Sequence, residues 1–223
     1  MGDQRRMWRA AFIFGILTIA TALWFLTRPV LDCGAPLAAP MLDFEMAMTQ
    51  PQFAAVIDCG PRRAELDVQN IVDLLLFMWA YTGLLVAFML AAGVKRGLAL
   101  GLGILMLGGD FIETAILRQI AAGWPDLDAG LATTLAVAVR VKFAAIGIAM
   151  LVAAARLWRV DGWGARVTAI LAVVGGIASI AIIPPEVRGP ASQILVVGWL
   201  AIMVYAGVKG FRSPRPAPSS ADA

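Results

Sequence analysis

The chain has 223 residues, of which 61% are hydrophobic and only 15% charged, so a soluble globular domain is excluded and a membrane protein is expected. The net charge of +3 comes from short basic clusters between apolar runs, not from one basic face, which argues against nucleic-acid binding. Histidine is absent, and with it go His-ligated haem and di-iron centres, HExxH zinc chemistry and Ser-His proteolysis. No P-loop or GxSxG pattern occurs either, so no cofactor and no metal site is expected.

Taken in order, residues 1–9 carry Arg5, Arg6 and Arg9 ahead of an apolar stretch at 10–28. That stretch is long for a cleaved signal, so it reads as an uncleaved anchor and first span. The one long polar connection, 29–69, contains both cysteines, Cys33 and Cys59, and a disulfide between them would staple it. Within it, Met41, Phe44 and Met48 fall at helical spacing, which predicts a short helix lying on the membrane surface. A second short helix is expected from Thr49 as N-cap through Pro51 to Asp58.

Five further spans follow at 70–93, 97–118, 131–156, 167–184 and 191–208. The expected fold is therefore all-α and integral to the membrane, with six transmembrane helices. The last two spans are short enough that half-spans or tilted helices fit them equally well. Pro184, Pro185 and Pro190 lie between them and read as a stiff loop. Residues 209–223, rich in Pro, Ser and Ala, read as a disordered tail.

With both termini on one side, that side holds eleven flanking basic residues: Arg5, Arg6, Arg9, Lys95, Arg96, Arg156, Arg159, Arg166, Lys209, Arg212 and Arg215. The opposite side holds five, Arg28, Arg62, Arg63, Arg118 and Arg188. The positive-inside rule then places both termini in the cytoplasm and the long loop outside. Trp8, Trp158 and Trp163 would mark the inner interface, and Trp24 and Trp124 the outer one. Fifteen arginines against three lysines, with abundant Ala, Gly and Pro, point to a GC-rich bacterial source, so the expected location is a bacterial inner membrane with a periplasmic loop.

Five ionisable residues fall inside the expected spans: Asp73, Asp110, Glu113, Arg140 and Lys142. Charges at membrane depth are costly, about 2.5–3.5 kcal/mol each on insertion scales, and by default they mark function. Helical rise places all five in the outer half of the bilayer at similar depth. Arg140 and Lys142 are two residues apart, on opposite sides of their helix, and cannot share a partner. Lys142 is therefore assigned to Asp110 or Glu113, and Arg140 to Asp73 or the outer surface. Gln69, Asn70, Tyr81 and Tyr205 are candidates to extend the network. Lys142 shares a face with Ala145, Ala149 and Ala153, while Gly97 and Gly101 form a GxxxG and Gly103 lies on the face of Asp110; both patterns allow close helix approach.

A buried ion cluster of this kind either locks helices together or forms a site. As a site, Asp73, Asp110, Glu113, Arg140 and Lys142 would bind a lipid, a small amphiphile or a membrane-protein partner, a second copy included. Alternatively Asp110 or Glu113 would serve an intramembrane enzyme as general acid on a lipid or isoprenoid, or a transporter as proton carrier.

Overall fold

The computed structural model describes residues 2–28, 40–160 and 162–212. Among them six helices are long and apolar enough to cross a membrane, and no strand occurs. The first, α1 (Gly2–Thr27), precedes two short helices, α2 (Pro40–Glu45) and α3 (Gln50–Ile57). A continuous helix over 60–91 follows, made of α4 (Gly60–Val72), a π-helical turn (Asp73–Phe77) and α5 (Met78–Ala91). The remaining spans are α6 (Arg96–Gly123), α7 (Ala129–Leu157), α8 (Trp163–Ala181) and α9 (Pro185–Phe211).

Short connections make chain neighbours antiparallel, and the bundle closes on itself: α5 packs on α6, α6 on α7, α7 on α8, α8 on α9, α9 on α1 and α1 on α5. One end of this ring gathers the start of α1 and the end of α9, tied by a hydrogen bond from Arg9 Nε to the Gly210 carbonyl at 3.0 Å. The other end carries α2, α3 and the start of α4, and is called the loop end below.

Local chemistry sets the turns. α5 stops in a Schellman motif, with Val94 N bonded to Met89 O at 2.9 Å and Gly93 N to Leu90 O at 3.1 Å. This requires φ of 81° at Gly93, where a side chain would be strained. α3 starts at Thr49, whose N–H donates to Gln52 Oε1 at 3.1 Å, as the capping pattern predicts. α7 starts at Asp128, whose carboxylate accepts from Gly130 N at 2.6 Å.

Several expectations need correction. The helix that carries the second span begins earlier than 70, at Gly60, where Pro61 in its first turn costs no hydrogen bond. Pro185 likewise sits in the first turn of α9, and Pro190 lies inside the helix rather than in a loop, so the last helix is 27 residues long and not a half-span. Trp8 is not an interface anchor. It lies in the core at the end opposite the loop end, called the tail end below, edge-on to Phe88 at 5.1 Å and to Tyr205 at 5.6 Å.

α2 does not lie on a surface. Phe44 is fully buried and meets Phe53 of α3 edge-on at 6.1 Å, and Glu45, Met46 and Ala47 are buried beside it. The α2–α3 pair is a plug seated in the loop end, with Phe44, Phe53, Val56 and Ile57 buried in the core. Cys33 lies outside the described residues, so the expected Cys33–Cys59 bond is not described. Of the expected tail over 209–223, residues 209–211 are instead the last residues of α9, and 213–223 lie outside the described residues.

Small residues decide which helices meet closely. A Cβ at Gly147 of α7 would sit 2.6 Å from the Gly176 carbonyl of α8, and one at Gly103 of α6 would sit 2.8 Å from Val86. Gly97 and Gly101, in contrast, have nothing within 4 Å among the described residues, so this GxxxG packs against none of the described helices. Ala145, Ala149 and Ala153 are all buried, as their spacing with Lys142 predicts.

Candidate functional site

Lys142 stands in the middle of α7, thirteen residues from its loop-side start at Ala129. Asp110 stands at the middle of α6, thirteen residues from Gly123. Both lie about 20 Å from those helix ends, so they meet at one depth. Gly109 makes the approach possible, since a Cβ there would come within 3.1 Å of Lys142 Cβ and 3.0 Å of the Ala138 carbonyl.

Lys142 Nζ is the hub. It contacts Glu113 Oε1 at 2.7 Å, Glu45 Oε2 at 3.1 Å and Asp110 Oδ1 at 3.2 Å, and all four side chains are buried. An ammonium has three protons, and each has one carboxylate to donate to here. Asp110 uses its second oxygen to accept from the Tyr81 hydroxyl at 2.7 Å. Tyr81 in turn stacks on Trp199 of α9, with centroids 5.7 Å apart and planes 7° from parallel. Phe77 packs against both rings, and together they floor the cluster on its tail-end side.

Asp73 joins as a fourth acid. It lies in the π turn, where Met78 N bonds back to the Asp73 carbonyl, and the extra residue widens the helix at that point. Its side chain is buried and accepts from Thr114 Oγ1 at 3.2 Å, one residue beyond Glu113 on α6. Four carboxyls therefore surround one ammonium. Three buried polar atoms around them lack a hydrogen-bond partner among the described residues: Glu113 Oε2, Asn70 Oδ1 and Trp199 Nε1.

Arg140 does not belong to this cluster: of its two expected places, Asp73 or the outer surface, the pairing with Asp73 is not formed. Its side chain is exposed, donating to the Ala136 carbonyl at 3.0 Å and approaching Met48 Sδ at 3.7 Å. Being two residues from Lys142, it turns outward when Lys142 turns inward. Gln69 and Tyr205 also lie outside: Gln69 donates to Glu65 at 3.1 Å, and Tyr205 packs on Trp8. Of the candidates to extend the network, Tyr81 reaches it by a hydrogen bond.

Glu45 is the member that sequence reasoning missed. It sits in the long connection, where a carboxylate reads as solvated, and only the insertion of α2 brings it to Lys142. Its neighbour Asp43 pairs with Arg188 of α9 at 2.6 Å, and Arg188 also donates to the Ile183 carbonyl at 3.1 Å. Two acids of one short helix thus fix the plug to two different spans. The seam between plug and α7, lined by Glu45, Met48, Val139 and Arg140, is too narrow to admit water.

A second ionic layer lies nearer the loop end. Arg28 grips Glu65 with two contacts of 2.6 Å, and Arg118 contacts Asp67 at 3.0 Å. Asp110 is eight residues, about 12 Å, deeper along α6 than Arg118. No group of three or more acids or cysteines suited to a metal ion occurs among the described residues. Compared with protein-family models, with curated proteins and with solved structures, nothing matches this chain. Its site and its six apolar helices are thus the basis for any functional reading.

Proposed function

We propose that this membrane protein binds a lipid or small amphiphile at the Lys142 cluster, beneath the plug, in the outer leaflet of a bacterial inner membrane with both termini cytoplasmic. The observation that carries this reading is Glu45. A carboxylate on a separate, latched helix completes the shell of Lys142, so withdrawing the plug opens the cluster without unfolding the ring. A disulfide between Cys33 and Cys59 would tether the plug during that movement.

The chemistry of the pocket indicates the headgroup. Four carboxyls against one ammonium leave the site short of positive charge, and the Tyr81–Trp199 stack offers aromatic surface beside it. An amine or quaternary ammonium satisfies both features, because cations are favoured by carboxylates and by aromatic faces. Decylamine, added below its micellar concentration to the protein in a neutral detergent, should raise the unfolding temperature of wild type, whereas decanoate should not. Asp110→Asn should remove at least half of the rise. Equal rises with both additives would reject a cation-selective site.

A second use of the same groups is acid catalysis on a lipid or isoprenoid, and the unpartnered Glu113 Oε2 favours it. In that case lipid extracts incubated with wild type would gain a new species that Glu113→Gln fails to make.

A further inference from the structure

Away from the cluster, α4 and α6 leave a groove between them. The continuous helix over 60–91 packs tightly on α6 where Gly103 meets Val86 of α5, and its first part, α4, stands away from α6 towards the loop end. The resulting trough has a volume of about 600 Å³ and opens to the outside. Its walls are small, Ala64, Ala115 and Ala122, and its charged residues are Arg63, Asp67 and Arg118.

The two guanidinium groups are only partly used. Arg118 engages Asp67 through Nε, and its terminal nitrogens make no hydrogen bond among the described residues. Among the described residues the Arg63 side chain donates to the Ala121 carbonyl alone, at the outer limit of 3.5 Å. With Asp67 counted, the groove carries one net positive charge.

Its position is equally specific. It lies at the level of the Arg28–Glu65 and Arg118–Asp67 pairs, which form the polar boundary of the bundle. Directly deeper on the same helices, Val68, Leu75, Phe111 and Ile112 are exposed, as lipid-facing residues are. A phosphate at the boundary would thus have acyl chains running over apolar surface.

The geometry points to a binding site for a singly anionic phospholipid, its phosphodiester held between Arg63 and Arg118 and its chains lying along α4 and α6. Forked guanidinium groups from two helices suit a tetrahedral phosphate, and a net charge of −1 balances the groove. A zwitterionic lipid would leave the groove positive. This site is separate from the Lys142 cluster and does not rest on the function proposed for it.

Native mass spectrometry of the protein in neutral detergent, with equal amounts of dioleoyl-phosphatidylglycerol and dioleoyl-phosphatidylcholine, tests it. Wild type should retain the glycerol lipid in preference, and Arg63→Gln and Arg118→Gln should each reduce retention about fivefold. Asp67→Asn removes a competitor for Arg118 and should increase it, an opposite sign that general destabilisation does not produce. Arg159→Gln, exposed at the other end of the bundle, should change nothing. Glycerol 3-phosphate in excess should fail to displace the lipid. Equal retention of the two lipids by wild type, arginine variants and Asp67→Asn that retain as wild type does, or displacement by glycerol 3-phosphate would each overturn the proposal.

Discussion

Lys142→Met should be the most damaging single substitution in the protein, with an expected loss of about 3–5 kcal/mol in reversible unfolding. The methionine fits the volume of the lysine stem but supplies no protons. Glu45, Asp110 and Glu113 would then face one another in a buried site without the cation that each contacts within 3.2 Å. The penalty arises from those uncompensated acids more than from the loss of attraction. The sign can therefore be checked by removing an acid instead. Glu45→Gln keeps a hydrogen-bond acceptor for Lys142 and lowers the acid surplus, so it should cost less than about 1 kcal/mol. Unfolding in SDS, followed by tryptophan fluorescence, measures both. Equal losses in the two variants would mean that the cluster is held by specific geometry at Glu45 and not by charge balance.

Gly147→Val should cost about 3 kcal/mol or prevent assembly altogether. The new Cβ would lie 2.6 Å from the Gly176 backbone carbonyl and 2.6 Å from Ile180 Cγ1. A side-chain end can swing aside, but a helix backbone cannot, so α7 and α8 must separate. Since Gly176 would in turn place its own Cβ 2.9 Å from the Gly147 carbonyl, the contact is reciprocal and has no slack on either side. Moving α7 also moves Lys142, five residues earlier, so a cluster-dependent signal should fall with stability. Gly97→Val is the matched control: nothing lies within 4 Å of that position, and its effect should be within about 0.5 kcal/mol of zero. Detergent unfolding of the two variants side by side reads the difference.

The helices themselves were legible because lipid imposes long apolar runs, and six of them can be counted from the residues alone. The meeting of Lys142 with Asp110 and Glu113 was legible for a related reason. Few charges occur at that depth, and equal distance from the helix ends brings them level. Arg140 had two expected places, Asp73 or the outer surface, and the spacing that sets it opposite Lys142 could not choose between them; its side chain is exposed and does not reach Asp73. The inward turn of Lys142 was legible from the small residues on its face, and Ala145, Ala149 and Ala153 are buried with it.

Other features had no signal of that kind. Glu45 and Asp43 look like solvated residues of a loop until α2 is inserted, and insertion depends on contacts distant in sequence, such as Asp43 with Arg188. The π turn at Asp73 has no Gly or Pro to announce it. Gly147 with Gly176, and Gly175 with Gly198, are scattered among apolar runs, and only the pairing of helices shows that the members of each pair face one another, whereas the conspicuous Gly97–Gly101 motif packs against nothing among the described residues.

Native mass spectrometry of the protein extracted with its own lipids, comparing wild type with Asp110→Asn, tests the central claim that the Lys142 cluster is a binding site. A defined extra mass on wild type that is absent from a folded Asp110→Asn protein is the expected result, and its identity as an amine-bearing lipid or metabolite would fix the ligand class. Retention of the same bound masses by both proteins would contradict it, and the four acids around Lys142 would then serve only to hold the plug and the helices together.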